Sequence, residues 1–164
     1  MMAKRAQGTI EYLVIIAIVV VIALVVVGLL LQVMNQGSGV PETTAKTAWK
    51  SAEPWAIVDW TMKDVGTDCN LTLILKNNSY EAMDLNSIRI SDKNWGLGAS
   101  NGGAISGIPA GSTTTADQVV IQHMACTGGQ KYSVAKAGIF IDYNSATIAG
   151  KVQAGTADIV GTAQ

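Results

Sequence analysis

Histidine occurs once in this chain, at position 123, and cysteine twice, at positions 69 and 126. With no CxxC spacing, and a lone histidine that cannot complete a ligand set by itself, no metal is expected. Charge is equally scarce: 14% of the 164 residues are charged and the net charge is −1. Nothing here provides the basic excess that would hold nucleic acid or an anionic surface. The acidic residues are scattered, without the spacing of a paired acid/base site. The glycine-rich stretch Gly96-Leu97-Gly98-Ala99-Ser100-Asn101-Gly102-Gly103 has no P-loop lysine and no helical pattern after it. It reads as a long loop and not as a phosphate site. The expectation is therefore a protein that is not an enzyme and uses no cofactor.

What the chain does have is one unbroken apolar run. Residues 13–31 are nineteen apolar residues without a charge or a polar side chain. As a helix they rise about 28 Å, close to the hydrocarbon thickness of a bilayer. Eleven of them are Val or Ile, weak helix formers in water. Lipid removes that objection, because it offers the backbone no other hydrogen-bond partner. Ala17, Ala23 and Gly28 do not fall at four-residue spacing, so a tight small-residue crossing of two helices is not indicated. Lys4 and Arg5 precede the run, and no basic residue follows until Lys46. The positive-inside bias puts the N-terminus in the cytoplasm and the rest of the chain outside.

Three readings of this segment compete. A conventional secretory signal peptide would have a shorter apolar region followed promptly by a small-x-small cleavage site, and neither is found. A plain single-span anchor carrying a surface domain that binds a glycan or protein is the second reading. In the third, a prepilin peptidase cuts before the apolar run and leaves it in the product.

The third reading rests on Lys4-Arg5-Ala6-Gln7-Gly8-Thr9-Ile10-Glu11-Tyr12-Leu13. This segment resembles the class III signal peptide of archaeal type IV pilin-like proteins. In that family basic residues precede Gln at the first mature position, Ser or Thr follows two residues later, and Glu-Tyr stands at the fifth and sixth. Bacterial type IV prepilins usually carry Gly before the cut and Phe after it, and Ala6 and Gln7 depart from that. The resemblance covers roughly residues 4–31. It implies cleavage between Ala6 and Gln7, which removes residues 1–6. It also implies that residues 7–36 span the membrane before assembly and line the core of an extracellular filament afterwards. The implied partners are further copies of the chain, prepilin peptidase and the pilus assembly machinery in the membrane. The implied role is adhesion.

Glu11 sits at the mouth of the apolar run, where an ionised carboxylate is costly unless paired or protonated. Cleavage before Gln7 creates an α-amine four residues away on the same helix face. That amine can pair with Glu11 of its own chain or of the next subunit. If Gln7 cyclises to pyroglutamate the amine is lost, and Glu11 must be protonated or hydrogen-bonded by Thr9, Tyr12 or a neighbour's backbone. Tyr12 is also a residue type suited to a membrane interface.

Residues 37–41 contain Gly and Pro and read as a hinge. Beyond them, residues 42–164 change to period two. Cys69, Leu71, Leu73 and Leu75 alternate with Asn70, Thr72 and Lys76, with Ile74 the exception, Ile88 and Ile90 flank Arg89, and Ile139, Ile141 and Tyr143 alternate with Phe140 and Asp142. Weaker strand signals fall at 55–60, 118–124, 147–153 and 156–160. Short strands between turn residues predict an immunoglobulin-like β-sandwich, which makes the whole chain an α+β protein with a long N-terminal helix. In an exported domain Cys69 and Cys126 are expected to form a disulfide, with two buried free thiols as the alternative. Cys126 shares parity with Gln122 and Met124, a poor core face. Asn70-Leu71-Thr72 and Asn77-Asn78-Ser79 are candidate N-glycan acceptors, and alternation turns Asn70 toward solvent. Trp49, Trp55, Trp60 and Trp95 are expected to serve in packing in preference to a sugar-binding face. His123 is read as structural.

Overall fold

A computed structural model describes residues 3–37, 42–96, 102–115 and 117–164, with side chains described outside 3–9 and 32–37. The chain divides into two units, Met1–Gly39 and Val40–Gln164. The first is a single helix, α1 (Ala3–Gly37). Helix formation needs no amphipathic stripe here, and none is present: every side chain from Ile10 to Leu31 is exposed within the chain.

The second unit begins with a helix, α2 (Glu42–Lys50), which the period-two reading of residues 42–164 did not anticipate. Glu42 and Lys50 lie at the ends that favour their charges. Ala45 and Trp49, one turn apart, form its buried side. Among the described residues ten strands follow: β1 (Trp55–Asp64), β2 (Cys69–Asn77), β3 (Met83–Ile90), β4 (Lys93–Gly96), β5 (Ile105–Ile108), β6 (Val120–Met124), β7 (Lys131–Val134), β8 (Ile139–Ser145), β9 (Lys151–Ala154) and β10 (Ile159–Thr162). They form a three-stranded sheet β1-β2-β6, a five-stranded sheet in which β3 bonds β4, β5 and β8 while β9 adds to β8, and the pair β10-β7. All named strand pairs are antiparallel. The last residue extends the small sheet onto the first one. Gln164 N–H donates to the Met62 carbonyl at 2.9 Å, and its own carbonyl accepts from Asp64 N–H at 2.7 Å.

The α+β class expected from the sequence is present, a long apolar helix followed by a strand-rich domain. The finer expectation of an immunoglobulin-like sandwich is not confirmed by this strand order. The inner faces of the two larger sheets share one core, with Trp55, Ile57, Met62, Leu71, Leu73 and Leu75 from one side and Leu85, Ile88, Ile90, Ile139 and Ile141 from the other. Two irregularities set which residues point inward. In β1 the register against β2 shifts between Ile57 and Asp59, so the inward set changes from Trp55 and Ile57 to Trp60 and Met62. In β6, Met124 opposes Cys69 while Ile121 opposes Leu71, which leaves an extra residue at Gln122–His123. His123 takes a left-handed φ of 59° there. That bulge breaks the parity that had made Cys126 look misplaced, and Cys126 packs against the core.

Candidate functional site: the N-terminal helix and its processing signal

Residues 10–31 form a stretch of 22 residues long and apolar enough to cross a membrane, with none of it covered inside the chain. At 1.5 Å per residue it measures about 33 Å, against about 30 Å of hydrocarbon. So large an uncovered apolar surface marks a segment built to meet lipid or other protein. Glu11 lies one residue inside this stretch and is exposed, as is Tyr12 beside it. Positions 7 and 11 are one turn apart on α1 and share a face. Ala6 and Gln7 belong to the helix, but their side chains lie outside the described residues. Of the hinge at 37–41, Gly37 ends α1, and 38–41 lie outside the described residues.

Residues 4–29 match the family model of the class III signal peptide. The chain carries a class III signal peptide, and this signal together with the N-terminal apolar helix supports a type IV pilin-like protein. Such a signal implies processing by prepilin peptidase and handling by the pilus assembly system, from a membrane-anchored precursor to a secreted surface form. Neither the curated proteins nor the solved structures gave a match to this chain.

In the outer domain, the predicted site residues separate sharply. Cys69 and Cys126 form the disulfide, with Cα atoms 5.8 Å apart and a sequence separation of 57. Asn70 alternates outward from β2 and is half-exposed. Asn77 does not fit the acceptor role. It is 0% exposed, and its amide is fully engaged. Nδ2–H donates to the carbonyls of Glu81 (2.8 Å) and Ile108 (2.9 Å), and Oδ1 accepts from Ser79 N–H (2.9 Å) and Ser79 Oγ–H (2.7 Å). In the folded domain no glycan can be placed on that nitrogen.

The four tryptophans are all buried, which removes the sugar-face alternative for them. Trp49 Nε1–H donates to the Ala157 carbonyl and Trp60 Nε1–H to the Val160 carbonyl, each at 2.9 Å. These bonds tie α2 and β1 to the C-terminal strand region. His123 Nδ1 lies 2.8 Å from Asp68 Oδ2, a surface pair at the bulge. Of the glycine-rich stretch, residues 97–101 lie outside the described residues.

One ionic cluster was not anticipated. Lys46 Nζ lies 2.9 Å from Asp59 Oδ1 and 3.1 Å from Glu42 Oε1, and it sits 5.4 Å from the Trp60 ring centroid. The Asp59 carboxylate holds the Lys46 ammonium above its ordinary pKa, and Lys46 in turn holds Asp59 below the usual carboxylate range. Tyr132 lines the same hollow of about 310 Å³. Burial, with the Glu42 charge adding to it, pushes its phenol up to about 12. The sequence signal was the i, i+4 spacing of Glu42, Lys46 and Lys50.

Proposed function

We propose that the chain is a structural subunit that polymerises through α1 into an extracellular type IV pilus-like filament of the archaeal kind, used for adhesion. Its role in this reading is structural and not catalytic. One observation carries it: the class III signal match over residues 4–29 takes in most of an apolar helical stretch, residues 10–31, that is uncovered in the single chain. A helix apolar on every side suits lipid before cleavage and neighbours on every side afterwards. Lys4 and Arg5 support an N-terminus held in the cytoplasm before cleavage. Contacts between unlike faces of neighbouring helices do not close on themselves, so they propagate as a helical polymer.

Within that polymer, Glu11 pairs with the α-amine that cleavage creates at Gln7, either in its own chain or across subunits. Across subunits, and buried in an apolar assembly, such a pair sets the axial register more than it adds stability. Shearing cells and imaging the supernatant tests the reading. Filaments containing this chain are expected, and the Glu11→Ala variant is expected to give fewer filaments or an altered helical repeat. A supernatant with no filaments, and a chain that stays in the membrane as a monomer, would favour the single-span anchor. Unchanged filament number and repeat in the variant would overturn the role given to Glu11.

A further inference from the structure

Burial of Asn77 leaves a question about what its hydrogen bonds hold in place. They brace the segment between β2 and β3. The single Ser79 hydroxyl proton is shared between Asn77 Oδ1 and the Glu81 carbonyl, which lies 3.0 Å from Ser79 Oγ. Asn78 is fixed as firmly: its backbone N–H donates to the Pro54 carbonyl at 2.8 Å. Its Nδ2–H donates to the carbonyls of Lys50 (3.1 Å) and Ala52 (3.0 Å) at the C-terminal end of α2. On this braced segment stands Tyr80, which is 94% exposed. A large aromatic held out by an ordered loop gains nothing for the fold. Because the loop is already ordered, a ligand covering that ring meets a reduced entropy cost.

Tyr80 borders a hollow of about 440 Å³ at the end of α2 away from Glu42. Glu53, Glu81 and Lys151 supply charge to its walls, while Pro54, Met83 and Tyr143 supply apolar surface. The β9 side of the hollow is fixed too. Gln153, two residues after Lys151 on β9, pairs with the backbone of Trp55: Trp55 N–H donates to Oε1 at 2.8 Å, and Nε2–H donates to the Trp55 carbonyl at 2.7 Å.

We infer that this hollow is a binding site for a neutral saccharide, stacked on Tyr80. Sugar hydroxyls both donate and accept, so they satisfy carboxylates, which accept, and an ammonium, which donates, in one site. The C–H face of a pyranose suits the Tyr80 ring. Two carboxylates against one ammonium leave the walls net negative, which disfavours phosphorylated or sialylated ligands. The volume lies in the range of small-ligand sites. This inference names the ligand class of the adhesive role proposed above and rests on that reading.

Saturation-transfer NMR on the full chain in detergent micelles tests it. The probes are the neutral oligosaccharides cellotetraose, chitotetraose, mannotetraose and xylotetraose, with sialyllactose as the anionic comparison. At least one neutral probe is expected to saturate in the millimolar range or below. The Tyr80→Ala variant is expected to weaken that probe about tenfold, while Tyr80→Trp retains it. Because the ring is solvent-exposed, both variants are expected to keep the tryptophan fluorescence and unfolding midpoint of the parent. The inference is overturned if no neutral probe saturates, if sialyllactose binds as well as the best neutral probe, or if Tyr80→Ala binds like the parent. Cells making Tyr80→Ala are expected to bear normal filaments, which keeps failure of this site distinct from failure of the filament reading. Lost filaments together with absent saccharide binding would make Tyr80 a subunit contact instead.

Discussion

Replacing Asn77 by alanine removes one small side chain, yet its consequences are large. The amide is completely buried and serves four hydrogen bonds. Two of its partners keep another bond: Ser79 Oγ and the Glu81 carbonyl still meet each other. The Ile108 carbonyl and the Ser79 N–H lose their Asn77 partner outright. Each buried polar group left unsatisfied costs about 1–3 kcal/mol, and the vacated volume adds to that. Asn77→Ala is therefore expected to destabilise the outer domain by about 3–5 kcal/mol. With a urea slope of roughly 2 kcal/mol per molar, the midpoint falls by about 2 M. Tryptophan fluorescence is a clean assay on the full chain, because all four tryptophans lie in the outer domain and are buried. Asn77→Asp adds a sign. A carboxylate facing two carbonyls is raised in pKa by burial and repulsion, so protons bind more tightly to the folded state. By linkage the deficit of Asn77→Asp relative to the parent shrinks as pH falls. A loss below about 1 kcal/mol in Asn77→Ala would refute the bracing role. So would a glycan found on Asn77.

Two further outcomes follow from the outer domain. The double variant Cys69→Ser, Cys126→Ser opens a loop of 57 residues, and a loss of roughly 4 kcal/mol is expected from chain entropy, read as a lower urea midpoint. Lys46→Met removes the ion pair with Asp59, which is well exposed, so the loss at neutral pH is at most about 1 kcal/mol. Asp59 has a lowered folded pKa, so its contribution is present above the ordinary carboxylate value of about 4 and disappears as pH falls. Urea midpoints of parent and Lys46→Met are expected to differ at pH 7 and to converge in acid.

The parts of this molecule that were legible in the sequence are those fixed by local pattern. An apolar run needs only its length to specify α1. The alternation of Cys69, Leu71, Leu73 and Leu75 named the inward face of β2, and it also placed Asn70 outward. The same parity continues to Asn77, which is inward and buried. A three-residue sequon carries no record of that burial, but the strand pattern did. What stayed hidden depends on insertions and on distant partners. The bulge at Gln122–His123 resets the parity before Cys126. The nine residues of α2 show a helical face only through Ala45 and Trp49, whose cover comes from the neighbouring β1 and from β10 far along the chain. Strands β5 and β7 are four residues each, too short for alternation to stand out. Tyr80 was invisible as a site because its significance is an exposure, and exposure is set by the whole fold.

The central claim is that the apolar helix stays in the mature protein after a cut ahead of it. Intact-mass measurement with N-terminal peptide mapping, on the chain recovered from the cell surface, tests this most directly. The account predicts a first residue of Gln7, as glutamine or in its cyclised form, with residues 10–31 retained. A chain that still begins at Met1 or Met2, or one that begins beyond the apolar run, would contradict it.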